Sequence, residues 1–321
     1  MDDSGMTRAV VATAFGGPEV LSLIQTPVSP PGPGEVLISV RAAGTNPIDY
    51  KRYSGAMGRD LAQLPMRLGS EAAGVVTEVA DGALGPGGVI RTGDEVVAYR
   101  IAGAYAYDVT APAASVIPKP STLSFEAASG MMLTGVTAAH ALAATRVGAG
   151  ETVLVHGASG GVGLMASQLA AVAGARVIGT ASEGGQALLR EFGAEPVMYG
   201  AGLEARVRAL APGVLDAAID CFGGDEALDV SLALVADRGR IVTMVASRRA
   251  FGSGIKVIGG APGADPGTEI RAAARLELAR LASDGKLRVV VAATYPLADA
   301  AAAHRALATG HAHGKIILVP G

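Results

Sequence analysis

The chain has 321 residues, and at about 150 residues per domain that length points to two domains with sizeable cores. Half of the residues are hydrophobic and 17% are charged, which excludes intrinsic disorder. A net charge of −3, no Trp and five Phe give no footing for nucleic acid or an anionic membrane, and a single cysteine, Cys221, excludes an internal disulfide.

Residues 7–120 read as β-rich. Short β-branched runs at 36–40, 74–79 and 95–99 are separated by Pro- and Gly-rich breaks at 30–34 and 82–88, the pattern of a barrel or sandwich-like unit. From residue 125 the rhythm becomes alternating. A helix over about 125–145 precedes strand 152–156 (TVLVH). Helix to 173, strand 176–180, helix 184–192, strand 196–199, helix 202–210, strand 215–220, helix 225–236 and strand 240–245 follow. Apolar strands alternating with helices predict a doubly wound parallel sheet. A strand at 255–258, a helix at 266–283, a strand at 287–292, a helix at 297–307 and a closing strand at 315–319 complete the expectation.

The acidic, polar start (MDDSGMTRAV) has no signal-peptide pattern, and no uninterrupted apolar run approaches the roughly 20 residues of a membrane span. A cytoplasmic protein without membrane attachment is expected. The five histidines are His140, His156, His304, His311 and His313, so residues 1–139 hold neither His nor Cys, and a Cys/His zinc site cannot be built there.

The informative motif is Gly157-x-x-Gly160-x-x-Gly163, placed between strand 152–156 and a helix. Bare backbone lets a diphosphate approach, and the helix start offers free N–H groups and a positive dipole end. A nicotinamide dinucleotide is the expected cofactor. No acidic residue ends the next strand; Thr180 and Ser182 stand there and suit the 2′-phosphate of NADP. Glu183, and the lack of Lys or Arg before Arg190, weigh toward NAD. His156 and Cys221 read as packing residues.

Several motifs together resemble one family. They are residues 14–21 (AFGGPEVL), 31–37 (PGPGEVL), 42–49 (AAGTNPID), 68–76 (LGSEAAGVV), 93–96 (GDEV), the loop at 157–163 and 314–318 (GKIIL). In these the chain resembles the zinc-independent quinone oxidoreductase branch of the medium-chain dehydrogenase/reductase superfamily. The resemblance implies an α/β protein. A GroES-like, partly barrel-shaped catalytic lobe (1–122, completed by about 262–321) would accompany a Rossmann dinucleotide lobe (123–261). Zinc-dependent relatives carry a metal-binding Cys near Asn46 and a His where Ser70 stands, so no metal is expected.

The resemblance further implies that Ser159, Gly160, Gly161, Val162 and Gly163 cradle the diphosphate. Thr180, Ser182 and Tyr199 would meet the adenosine ribose and its phosphate. Phe222, Gly223 and Val245 would approach ribose or nicotinamide, as would Gly314 and Lys315. Candidate catalytic groups are Asn46, with an Asn-Pro turn residue as its structural alternative, Tyr50 and Tyr53, with packing tyrosines as theirs, and Thr134, on the helix entering the cofactor lobe and facing the nicotinamide. Hydride transfer without a metal suits a quinone or α,β-unsaturated carbonyl, whose charge spreads over an enol or quinol oxygen. A homodimer joined near 255–259 is expected from the same resemblance. An enoyl-thioester reductase and a non-catalytic NADP-binding protein are the alternatives.

Overall fold

A computed structural model of the chain describes residues 5–213 and 215–321. It contains two compact units, one built from residues 1–133 and 279–321 and the other from residues 134–278. These boundaries fall later than 122 and 261. Both lie inside continuous helices, Met132–Thr145 and Thr268–Ser283, so no Pro/Gly linker marks them in the sequence.

The first unit is β-rich. Its main sheet runs Val116–Pro118, Glu95–Tyr99, Glu71–Val79, Glu35–Gly44, Lys315–Val319, Val291–Pro296, and Asp108–Pro112 also pairs with Glu35–Gly44. A smaller sheet joins Leu21–Pro27, Met6–Ala12 and Met66–Arg67. Ile38, Met66, Leu68 and Tyr105 are among the buried core residues, each large apolar side chain contributing roughly 1.5–3 kcal/mol. The C-terminal strand belongs to this unit: Ile317 faces Gly44 in antiparallel register, and Val291–Pro296 runs parallel on its other side.

The second unit holds a six-stranded parallel sheet in the order Glu195–Met198, Arg176–Ala181, Thr152–His156, Ala217–Asp220, Ile241–Thr243, Lys256–Val257. In chain order that is 3-2-1-4-5-6, the Rossmann arrangement, with its switch point between the strands ending at His156 and Asp220. Leu154, Ile178, Ala218 and Ile241 on the strands pack with Val207 and Val230 from helices. No helix among the described residues is long and apolar enough to cross a membrane.

Two expectations about elements are corrected, and one short helix is added to them. The helix over 125–145 is two helices, Phe125–Ser129 and Met132–Thr145, interrupted at Gly130. The Asn46-Pro47 pair opens a helix, Pro47–Tyr53, with Asn46 extended at the N-cap, its backbone N–H donating to the Asp49 carboxylate at 2.8 Å. The strand placed at 287–292 lies at Val291–Pro296, because pairing with Lys315–Val319, rather than the apolar run 289–291, sets its position.

Candidate functional site

In the second unit the chain leaves strand Thr152–His156 at Gly157, whose φ of 65° is open to glycine at little cost. The Gly157 N–H donates to Thr180 Oγ1 at 3.0 Å, and the Ala158 N–H donates to the Thr180 carbonyl at 3.0 Å. These bonds hold the loop against the next strand. Helix Gly161–Val172 then starts from Gly160, which supplies no side-chain cap. The N–H groups of a first helical turn have no intrahelical partner, and the positive dipole end favours an anion. A Cβ on Gly163 would sit 2.2 Å from the Gly157 carbonyl oxygen and 2.6 Å from Ala158 Cα. Only glycine at 163 lets the helix start lie this close to the loop. Ser159 is buried at the turn, while Gly160, Gly161 and Val162 are partly open.

Thr180 is buried, and its hydroxyl accepts from the Gly157 amide. Ser182 is half-buried at the N-cap of Glu183–Glu191, and its hydroxyl makes no capping bond. Tyr199 follows the neighbouring strand, where Ala181 pairs with Met198, and is 49% exposed. Arg206 is a residue that sequence reasoning missed. Its guanidinium donates to the carbonyls of Met198, Gly200 and Ala201 at 3.0, 2.8 and 2.8 Å, fastening the loop that carries Tyr199 and bringing a positive charge to it.

Across the switch point, the Cys221 N–H donates to the His156 carbonyl at 3.1 Å, so the two strand exits lie side by side. Asp220, also missed, shapes the second exit. Its Oδ1 accepts from the Phe222 and Gly223 amides at 2.9 and 2.8 Å, and its Oδ2 accepts from Thr243 Oγ1 at 2.8 Å. Phe222 is left 72% exposed, and Gly223 at φ 86° lies so near Val245 that a Cβ would clash at 2.4 Å. Burial holds the His156 pKa down to about 4. The neutral ring donates from Nε2 to Ser231 Oγ, whose own proton goes to the Ala227 carbonyl. Burial and the adjacent Asp220 carboxylate push the Cys221 thiol up, keeping it protonated. Thr134 is buried near the start of helix Met132–Thr145.

In the first unit a buried polar cluster gathers residues far apart in sequence. Lys315 Nζ donates to Glu71 Oε1 at 3.0 Å, Asn46 Oδ1 at 2.6 Å and the Thr45 carbonyl at 2.8 Å, which uses all three ammonium protons. Asn46 Nδ2 donates to Glu71 Oε1 at 3.0 Å, and Glu71 Oε2 accepts the Leu133 N–H at 2.8 Å. Glycines make the room. A Cβ on Gly44 would meet Glu71 Oε1 at 2.7 Å, and one on Gly130 would meet Lys315 Cγ at 3.0 Å. Gly314 at φ 118° passes the Val290 carbonyl with a similar lack of clearance.

From this cluster a directed chain of hydrogen bonds runs into the core. Asp49 Oδ2 accepts from the Asn46 backbone N–H and from Tyr105 Oη, both at 2.8 Å. With its proton so placed, Tyr105 Oη accepts from His304 Nε2 at 3.2 Å, and His304 Nδ1 accepts from Tyr53 Oη at 2.9 Å. Burial raises the Asp49 pKa to about 6 and lowers that of His304 to about 4.

Two expected proton or hydrogen-bond donors have internal partners in this structure. Asn46 is 2% exposed with both ends of its amide engaged, so it clamps the cluster. Tyr53 is 1% exposed with its hydroxyl on His304, and burial pushes its pKa up. Tyr50 is the one of the four catalytic candidates that is not buried.

Two family models match: the alcohol dehydrogenase GroES-like domain over residues 32–121 and the zinc-binding dehydrogenase family over residues 192–318. A mouse quinone oxidoreductase is 35% identical over 332 residues, covering 98% of each chain. The chain belongs to the quinone oxidoreductase branch of the medium-chain dehydrogenase/reductase superfamily.

Solved members of the superfamily match the whole length. A mycobacterial protein solved in complex with NADPH is 32% identical, with a TM-score of 0.84 over 98% of this chain and all of the other. A structure described as an NAD-dependent alcohol dehydrogenase is 31% identical, also with a TM-score of 0.84 and the same coverage. The fold of this quinone oxidoreductase relative is therefore a GroES-like domain with a Rossmann-like domain, as the resemblance implied.

Proposed function

We propose that the protein is an NADPH-dependent oxidoreductase that passes hydride to a quinone or an α,β-unsaturated carbonyl without bound zinc. The observation that carries this reading is the contact of Gly163 with the Gly157 carbonyl, which brings an uncapped helix start to the switch point of a Rossmann sheet. The mouse relative's name and the NADPH complex of the mycobacterial relative support it.

The bound dinucleotide supplies the hydride; the chain's residues hold and orient it. Gly161, Val162 and Gly163 would face the diphosphate with first-turn backbone N–H groups, and Ser159 and Gly160 would form the turn beside it, the Gly160 N–H being held by the Gly157 carbonyl at 3.1 Å. Asp220 fixes the turn at Phe222 and Gly223, which would meet the ribose and nicotinamide. Val245 packs under that turn. The unused Ser182 hydroxyl, exposed Tyr199 and the Arg206 charge favour the 2′-phosphate of NADP over NAD.

The donor set near Asn46 and Glu71 does not fit zinc. Among the described residues no three His, Cys, Asp or Glu side chains converge on a point suited to a metal. The Lys315 ammonium already engages Glu71 and Asn46, and it would repel a divalent cation placed there. An acceptor that delocalises its developing charge is therefore the better substrate, with Tyr50 or water as the proton source. Strand Lys256–Val257 ends the parallel sheet, which suits a homodimer formed by edge pairing.

The test is calorimetric titration with NADPH and NADH, followed by turnover of 1,2-quinones, enones and simple aldehydes, with elemental analysis of the active protein. Tight NADPH binding and reduction of conjugated acceptors by metal-free enzyme are expected. Reduction of aldehydes alone, or a requirement for stoichiometric zinc, overturns the reading.

A further inference from the structure

Arg67 carries a positive charge that the fold does not neutralise. Its Nε and Nη2 atoms are buried and meet no hydrogen-bond partner among the described residues; nor does Ser70 Oγ, three residues on. An arginine cannot relieve this by losing its proton, and buried donors left unpaired are costly. Burial lowers its pKa, as expected for a desolvated cation.

The two orphaned nitrogens form one edge of the guanidinium plane. Elsewhere in this protein the same edge has a partner. Arg176 presents Nε and Nη2 to the two carboxylate oxygens of Glu195 at 2.6 and 2.7 Å. That pairing is planar, bidentate and charge-assisted, the geometry in which arginine differs most from lysine.

The segment holding Arg67 is braced. Arg67 lies opposite Val11 in the small sheet. Beyond it, Leu68, Gly69 and Ser70 carbonyls accept from the Tyr105, Ala104 and Ile101 amides at 3.0, 3.2 and 3.3 Å. Gly103, at φ 78°, lies against the guanidinium; a Cβ there would stand 2.8 Å from Nε. Arg100, a non-glycine residue at φ 61°, begins this stretch. The Gly103 backbone thus lies against a buried guanidinium edge that has no counter-ion among the described residues.

We propose that the Nε/Nη2 edge of Arg67 is a carboxylate-binding subsite, and that the acceptor this enzyme reduces carries a carboxylate. The second clause rests on the function proposed above. For such an acceptor, 4-oxo-2-pentenoate, hydride from NADPH forms a C–H bond at the carbon β to the ketone. The C=C π pair moves to the ketone oxygen as an enolate. A solvent proton on the α-carbon completes 4-oxopentanoate and NADP⁺.

Two measurements test this. The first compares kcat/KM for 4-oxo-2-pentenoate with that for its methyl ester, in wild type and Arg67→Met. The second compares calorimetric binding of 4-oxopentanoate with that of its methyl ester. Wild type should favour the acid about 10- to 100-fold, the range of a charge-assisted bond, and Arg67→Met should lose that preference. Arg67→Lys, which keeps the charge without the fork, should retain only part of it. Melting temperature supplies a control. Removing an uncompensated charge should leave the Arg67→Met melting temperature level or higher.

Equal handling of acid and ester by wild type overturns the subsite, as does a preference that survives Arg67→Met. If neither compound turns over but the acid binds through Arg67, the subsite stands and the reductase reading falls. If both turn over equally, the reverse holds.

Discussion

The Lys315 ammonium lies 3.0 Å from the Glu71 carboxylate, and both residues are buried. A pair of this kind is a weak source of net stability, but breaking it is expensive. Lys315→Met leaves Glu71 buried without its counter-charge and should lower unfolding stability by about 3–5 kcal/mol. Adding Glu71→Gln should recover a large part of the loss. Denaturant titration of the two variants checks this; equal stability of single and double variants contradicts it.

Acid titration should reveal opposing buried groups. The Asp49 pKa of about 6 lies above its unfolded value near 4, so its contribution is full below about pH 4 and is lost as pH rises through 6. His304, lowered to about 4, acts oppositely: its contribution is full above about pH 6.5 and is lost as pH falls toward 4. Asp49→Asn should gain stability relative to wild type between pH 4 and pH 6, by about 3 kcal/mol at most. An unchanged difference across that window, measured by urea unfolding at each pH, counts against the burial argument.

Gly163→Ala places a methyl group 2.2 Å from the Gly157 oxygen, a contact that backbone must move to avoid. The expected cost is about 1–3 kcal/mol of stability. A displaced helix start should also weaken NADPH binding by roughly tenfold or more, the effect of one lost charge-assisted hydrogen bond. Calorimetry with NADPH reads the second effect directly, and unaltered affinity defeats the proposed cradle.

Arg206→Gln removes the charge beside Tyr199 and two of the fastenings of its loop. The ratio of kcat/KM for NADPH over NADH should fall about tenfold, the size of one charge-assisted contact. A parallel loss with both cofactors would show that Arg206 acts on loop structure alone.

The alternation of apolar runs and helices made the parallel sheet legible from residue 152 onward, because strands buried on both faces have a distinctive composition. The glycine spacing at 157–163 likewise declared a helix start that must approach another backbone. The helix Pro47–Tyr53 was less visible, since its N-cap signal, Asn46 followed by Asp49, also reads as an Asn-Pro turn. The true surroundings of Asn46 and Tyr53 could not be foreseen. Their partners, Lys315 and His304, are more than 250 residues away, and local pattern carries no trace of such pairings. The lack of a partner for Arg67 is visible only in three dimensions.

The strand Lys315–Val319 inserts between Glu35–Gly44 and Val291–Pro296, and it brings Glu71 a counter-ion from 244 positions downstream. During translation the contiguous residues 134–278 leave the ribosome with all of their own sheet partners and can fold at once. The β-rich unit, begun first, has to wait with an open edge until that strand emerges. Vectorial synthesis therefore finishes the older half of the molecule last, and the nascent Glu71 stays hydrated until Lys315 arrives.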